Sequence, residues 1–317
     1  MIESSKESAP LITIILPVYN GGEYLQKSVA SVLNQTFTNF ELLILDDCSK
    51  DGSLLYLQSI NDSRVTLFIN EKNKGLFYNL NFLINKSTSG LIKLWAQDDI
   101  MYPHCIGSFV AFHNQYPNLG FSYSQRDIIN EKGIVKSIAN DDPTPIIVSP
   151  NLHARIAYFT GSIAGNIANV CISKKALGEV GLFKENMKIS ADFDMWVRLA
   201  EKHDTGYIKD KLIQLRDHEE QLSRNESLYI FHLKEDLEIY RYLDNYVDSN
   251  IREAGKQMMR RYKLVFYYTL MVKALLKLNF KTVYLFYKEL SSYDNFFLLT
   301  ISFIKAKMNK KSKPNLF

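Results

Sequence analysis

Cysteine is scarce in this chain: three in 317 residues, Cys48, Cys105 and Cys171, with no CxxC pair. That excludes a disulfide framework and a cysteine-built zinc site, and it predicts a reducing compartment. Neither Cys48 nor Cys105 has a paired histidine motif, so neither reads as a nucleophile. Long hydrophobic runs are missing too. The longest greasy stretch near the end, Phe296 to Ile304, is about half of the ~18 apolar residues that a membrane-spanning helix needs. Met1 to Pro10 is polar and lacks the apolar core of a signal peptide, so the expected location is the cytoplasm. No GxGxxG opens the first loop, where Asn20-Gly21-Gly22-Glu23 stands instead, which argues against a dinucleotide-dependent oxidoreductase. Acids are depleted in one region only. Residues 251–317 carry 14 Lys+Arg against 3 Asp+Glu, a balance of +11, whereas the first 250 residues sum to −7. The split predicts a basic module on an acidic body.

What is present is a regular alternation. Leu11 to Val18 is an apolar, β-branched run closed by Asn20-Gly21-Gly22, which predicts a buried strand, and Glu23 to Asn34 places Leu25, Val29, Val32 and Leu33 at helical spacing. The pattern repeats: strands over 40–45, 65–69 and 90–96, with helices over 51–60 and 76–86. Such alternation predicts an α/β fold with a mainly parallel sheet flanked by helices. Further on, the spacing predicts a helix over 104–116, a short strand over 120–123, a loop over 140–150, a short helix over 174–180 and an amphipathic helix over 192–202. From Leu228 aromatic-rich helical patterns dominate. The expected organisation is a domain over 1–225 and a basic helical region over 226–317.

Acids stand where this architecture puts its ligand crevice, outside the carboxyl ends of the strands. Asp46-Asp47 closes one apolar run, Asp98-Asp99 closes another, and Asp192 opens the amphipathic segment. Carboxylates gathered without matching cations invite a divalent metal. Plain alternatives stand beside each reading. Asp46-Asp47 could build an Asx turn, Asp98-Asp99 an exposed turn before Pro103, and Asp192 a helix N-cap.

The order of motifs resembles the family 2 inverting glycosyltransferases of the GT-A fold, over about residues 11 to 224. The resemblance rests on Ile14-Ile15-Leu16-Pro17-Val18-Tyr19-Asn20, Ser31 to Thr36, Glu41 to Ser53, Asn73-Lys74-Gly75-Leu76 with Asn81, Gln97-Asp98-Asp99, Ala191 to Trp196, and Arg216-Asp217-His218. Each piece alone is weak; their joint order and spacing carry it. It implies a nucleotide-sugar donor, of the UDP class, and a glycan or lipid-linked saccharide acceptor. Pro17, Tyr19, Asn20, Glu23, Asp46, Asp47, Asn81, Gln97 and Asp99 would bind the donor. Asp98 and His218 would hold Mn2+ or Mg2+, and Asp192 would be the catalytic base. A helix amino terminus would keep Asp192 ionised, and neighbouring acids would do the opposite. Two positions depart from the family: Ala96 where it usually has an acid, and Ala191 where it commonly has Glu. These thin the acidic cluster and leave open a degenerate transferase-like protein that binds nucleotide-sugars without catalysis.

Residues 251–317 interleave Lys and Arg with Tyr, Phe and Leu. They read either as helices packing an aromatic stripe inward or as a peripheral module on the inner face of the plasma membrane. The acidic body and the lack of a nucleic-acid motif argue against a nucleic-acid partner.

Overall fold

The computed structural model describes residues 10–137, 142–219, 221 and 224–308. The chain divides into two compact units. The first comprises 1–153, 164–185 and 194–221, and the second 154–163, 186–193 and 222–317. The second unit therefore takes in two short segments from before residue 225 as well as the C-terminal helices. Parts of the polar amino terminus, of the loop over 140–150 and of the basic tail lie outside the described residues.

A ten-stranded mixed sheet forms the first unit. Its strands are β1 (Ile12–Val18), β2 (Phe40–Asp46), β3 (Val65–Ile69), β4 (Leu91–Leu94), β5 (Ile100–Met101), β6 (Leu119–Ile129), β7 (Val135–Ser137), β8 (Ile147–Val148), β9 (Val170–Ser173) and β10 (Asp204–Arg216). The path runs β3-β2-β1-β4-β9-β6-β10-β5, with β7 on β6 and β8 on β10. Strands β3, β2, β1 and β4 are mutually parallel, and β9 enters antiparallel to β4 and β6. All seven residues of β1 are buried, as expected of a central parallel strand covered on both faces. Pro17 is tolerated there because the pairing with β4 stops at Ile15, leaving that edge without a ladder to break.

Helix α1 (Leu25–Leu33) buries Leu25, Ser28, Val29 and Val32, the i, i+3, i+4, i+7 face that the spacing predicts. Its buried Ser28 hydroxyl donates to the Ala96 carbonyl (2.8 Å) and accepts from the Trp95 indole (2.8 Å), fixing the end of β4. Helices α2 (Ser53–Gln58), α3 (Leu76–Lys86) and α4 (Cys105–Gln115) follow at the expected places. Several elements differ from expectation. Strand β6 runs on to Ile129, strands β5, β7, β8, β9 and β10 were not expected, and α5 (Pro150–Thr160) begins on the proline at the end of the expected loop. Proline suits a first helical turn, where its missing N–H costs nothing. Short α6 (Lys174–Val180) ends at Gly181, whose φ of 83° is the left-handed conformation a helix stop requires.

The second unit is helical: α8 (Tyr229–Leu243), α9 (Ser249–Met259), α10 (Val265–Leu276), α11 (Phe280–Tyr293) and α12 (Phe296–Met308), with a π-helical turn at Arg260–Leu264 joining α9 to α10. Gly255 of α9 lies against Tyr158 so closely that a Cβ would sit 2.3 Å from two ring carbons. Arg260 forks onto Asp294 (2.5 and 2.7 Å), tying the π turn to the start of α12. Helix α7 (Ala191–Lys202) has its first turn in this second unit. Among the described residues no helix is long and apolar enough to cross a membrane.

Candidate functional site

In the first unit, the carboxyl ends of β1, β2 and β4 deliver three loops, and the loops are stitched to one another. Asn20 turns the chain with φ of 49°, donates its N–H to Ser49 Oγ (2.9 Å) and accepts from the Lys50 N–H (2.8 Å). Gly21 N–H donates to Ser53 Oγ (2.9 Å) and Gly22 N–H to Asp51 Oδ2 (3.0 Å). Gln97 holds Tyr19 at both ends, accepting from its N–H (2.9 Å) and donating to its carbonyl (3.1 Å). Tyr19 and Glu23 are exposed on this loop, and Pro17 is buried beneath it.

The two acids of the β2 pair differ. Asp47 is fully occupied: Oδ1 accepts from Asn70 Nδ2 and from the Lys74 N–H (2.8 Å each), and Oδ2 accepts from the Gly75 N–H (2.9 Å). Its carboxylate builds the loop that starts α3. Asp46 keeps capacity in hand. Its Oδ2 accepts from the Ser49 N–H (3.0 Å), while Oδ1 is buried with no hydrogen-bond partner among the described residues. Asn81, similarly, is committed elsewhere. It donates to the Phe183 carbonyl (2.9 Å) and Glu185 Oε1 (2.9 Å) and accepts from the Phe183 N–H (3.0 Å).

At the end of β4, Asp98 Oδ2 and His218 Nε2 lie 2.9 Å apart, 120 residues apart in sequence. Asp99 is buried. Its Oδ1 accepts from the Arg216 N–H (2.8 Å) and its Oδ2 has no partner among the described residues. Burial, and then the charge of Asp98, push the Asp99 carboxyl well above the usual carboxylate range. Arg216, at the end of β10, is the organiser that sequence reasoning missed. Its guanidinium donates to the carbonyls of Asp98 (2.9 Å), Asn130 (2.9 Å) and Glu131 (2.8 Å) and lies 4.4 Å from the Tyr24 ring centre. Tyr24 in turn packs on His218, ring centres 5.4 Å apart. The one signal available was its place in the Arg216-Asp217-His218 motif, two residues before His218.

A carboxylate oxygen and an imidazole nitrogen in hydrogen-bond contact are both suitable donors for Mn2+ or Mg2+. The orphaned, poorly ionising Asp99 oxygen beside them is the chemistry that a cation would relieve. Among the described residues no three His, Cys, Asp or Glu side chains gather into a metal cage. The pair would fit a cation as a two-point anchor, with further ligands needed from elsewhere. Gln97, spent on Tyr19, is not part of that anchor.

The second unit contains Asp192, within the first turn of α7. It accepts from the Phe193 N–H (2.7 Å), and burial pushes its carboxyl up to about 7, with the charges of Asp236 and Glu235 adding to the shift. Burial and like charge thus outweigh the helix terminus. The residues ahead of it are held by α8. Glu235 accepts three successive backbone N–H groups, from Lys188 (2.7 Å), Ile189 (3.0 Å) and Ser190 (2.9 Å), and Asp236 accepts from the Ser190 hydroxyl (2.7 Å). Burial would raise Asp236, but Lys263 of the π turn and His232 at 3.4 Å outweigh it and leave the carboxyl below its ordinary range. Glu235 and Asp236 were absent from the sequence reading, because nothing in a helical run marks two acids as serving a loop 45 residues away. Trp196, farther along α7, lies among Phe121 and Phe183 (ring centres 5.2 and 6.1 Å) as a core residue of the first unit.

Residues 13–165 match the family model described as glycosyl transferase family 2. An uncharacterized glycosyltransferase of Rickettsia felis is 28% identical over 216 residues, 68% of this chain, yet the matched stretch spans only 35% of that longer protein. A protein of Escherichia coli named UDP-Glc:alpha-D-GlcNAc-diphosphoundecaprenol beta-1,3-glucosyltransferase WfgD is 33% identical over 125 residues, covering 39% of this chain and 49% of its own. Among solved structures, S. aureus TarS 1–349 in complex with UDP-GlcNAc superposes with a TM-score of 0.62 over 78% of this chain and 70% of that one, at 16% identity, which is a likeness of fold. Over residues 13–165 the chain matches glycosyl transferase family 2, and the relatives together with the shared architecture support a glycosyltransferase of the GT-A fold.

Proposed function

We propose that this chain is an inverting glycosyltransferase that moves a sugar from a UDP-sugar to a saccharide acceptor, with Mn2+ or Mg2+, in the synthesis of a cell-surface polysaccharide. The observation that carries the reading is the pairing of Asp98 with His218 beside Asp99, whose second oxygen has no partner among the described residues, at the carboxyl end of β4. Asp46, with its open oxygen at the end of β2, accepts from the base or ribose of the nucleotide. Arg216 and Tyr24 keep Asp98 and His218 in place. Asp98 and His218 would hold a divalent cation, which would supply positive charge against the developing diphosphate. Asp192 takes the acceptor hydroxyl proton as that oxygen bonds to the anomeric carbon and the bond to the diphosphate breaks. Its value of about 7 suits a base that must accept a proton near neutrality. The name of the E. coli relative supports a lipid-linked saccharide as acceptor. That acceptor would bring the chain to the inner face of the membrane, with residues 251–317 as the surface-binding part.

A second reading, a protein that binds nucleotide-sugars without turning them over, draws on Gln97. It follows Ala96, where the family usually has an acid, and its side chain is tied to the Tyr19 backbone. A thermal-shift screen of nucleotide-sugars with and without Mn2+ tests both readings, because a ligand that binds only the folded state raises its stability. Metal-dependent stabilisation by a UDP-sugar together with turnover that Asp192→Asn abolishes is the expected result. Stabilisation without any turnover would favour the second reading, and stabilisation by no nucleotide-sugar would sink both.

A further inference from the structure

The turn between α10 and α11 combines two costs with no return in water. Residues 275–281, Leu-Leu-Lys-Leu-Asn-Phe-Lys, are exposed without a break. Within that run Leu276 is 79%, Leu278 72% and Phe280 64% accessible, and one turn into α11 Tyr284 is 63% accessible. Leu278 also adopts φ of 56°, the left-handed position after a helix that glycine or asparagine fills without strain. The turn is well made. Leu278 N–H donates to the Leu275 carbonyl (2.9 Å), Asn279 N–H to the Ala274 carbonyl (2.9 Å), and Asn279 Oδ1 caps α11 at the Thr282 N–H (3.1 Å). A bulky apolar residue is thus held in a strained conformation with its side chain in solvent. Strain that local structure enforces and burial does not offset points to function rather than stability.

The charge around the turn selects the occupant. Residues 265–288 contain four lysines, Lys273, Lys277, Lys281 and Lys288, and no acid. All four are exposed. Lysine is depleted from the centres of protein–protein interfaces. It is favoured at lipid surfaces, where its stem lies along the acyl boundary and its ammonium meets anionic headgroups. Tyr284 and Tyr287 supply the amphipathic rings that settle at headgroup depth.

We propose that the α10–α11 turn is a membrane-inserting tip, with Leu276, Leu278 and Phe280 entering an anionic bilayer surface and Lys273, Lys277 and Lys281 binding its headgroups. This rests on reading residues 251–317 as surface-binding and is independent of catalysis. The test is co-flotation of the full chain with vesicles of phosphatidylcholine alone or with added phosphatidylglycerol. Wild type should float with the anionic vesicles only and be released by salt. Leu276→Ser/Leu278→Ser should weaken partitioning by at least about tenfold. Lys277→Glu/Lys281→Glu should abolish the preference for anionic lipid. Leu278→Gly guards against misfolding, since it relieves the strained backbone: its melting temperature should rise while its vesicle binding falls. Retained binding by Leu276→Ser/Leu278→Ser, binding to neutral vesicles as strong as to anionic ones, or a wild-type dimer that this pair of substitutions dissociates would each overturn the proposal. Unchanged donor hydrolysis in these variants separates failure of the tip from failure of the transferase reading.

Discussion

Asp47 in the first unit and Asp192 in the second are held by opposite physics. At the ends of β2 and β4 the chain surrounds its carboxylates with donors: three for Asp47, a backbone N–H for Asp46 and another for Asp99. Among the described residues two buried oxygens there, Asp46 Oδ1 and Asp99 Oδ2, have no hydrogen-bond partner. In the second unit Asp192 receives one close N–H and is otherwise pressed by burial and by two neighbouring acids, which carry the donors it lacks. Asp47 is held by three donors, whereas Asp192, with one close N–H, is raised by burial and by its acidic neighbours. Acidity in a sequence motif therefore says where an acid is, and its donors say what it can do.

The strongest test of this contrast is Asp192→Asn. Turnover should fall by about 10²–10⁴-fold, the usual worth of a positioned base, with donor affinity unchanged. The same variant should be more stable than wild type above neutrality. An aspartate held at about 7 when folded, against an ordinary value near 3.9 unfolded, binds more protons in the folded state between those limits. Wild-type stability attributable to this group thus falls as pH rises from about 4 to 7 and then levels off, by a few kcal/mol in all. Melting curves of both proteins at pH 5 and pH 8 measure it, and an equal difference at the two pH values would break the comparison.

Asp98→Ala should reduce apparent Mn2+ affinity by ~100-fold while leaving the fold intact, because it removes one of the two protein donors proposed for the cation. Calorimetric titration in the presence of UDP reads this directly. Gly255→Ala tests the second unit alone. A methyl placed 2.3 Å from Tyr158 ring carbons should lower stability by about 1–3 kcal/mol in denaturant unfolding. The smallest effect, and the most discriminating, is Glu235→Gln. Losing a like charge should move the lower midpoint of the pH–rate profile below that of wild type, and the amides of Lys188, Ile189 and Ser190 should exchange faster with deuterium. Faster exchange with an unmoved midpoint would leave Glu235 a structural cap only.

Much of the first unit was legible because central parallel strands are covered on both faces and so read as unbroken apolar runs, as in β1 and β2. Strand β10 was not. Its pairing with β6 shifts register around Ile208–Ile213, and Lys209, Asp210 and Lys211 interrupt any two-residue alternation. The latter half of β6, Gln125-Arg126-Asp127, is polar for a similar reason: it is read against β10, not against solvent. In the site, the positions of Asp46, Asp98, Asp99 and His218 followed from strand ends and motif order. The commitments of Asp47, Asn81 and Gln97 to neighbouring backbone did not, since a hydrogen-bond partner tens of residues away leaves no local pattern. Arg216 and Glu235 escaped for the same cause.

The clamp that Glu235 makes on Lys188, Ile189 and Ser190 bears on where this chain can be cut. Every residue in the matched family stretch, and Asp192 itself, precedes residue 225, so a fragment ending there looks sufficient by motif. Such a fragment would leave three consecutive N–H groups without their acceptor and take away α8, whose Asp236 and Glu235 add to the shift that burial gives Asp192. It would keep the proposed base in name while removing part of what raises its carboxyl.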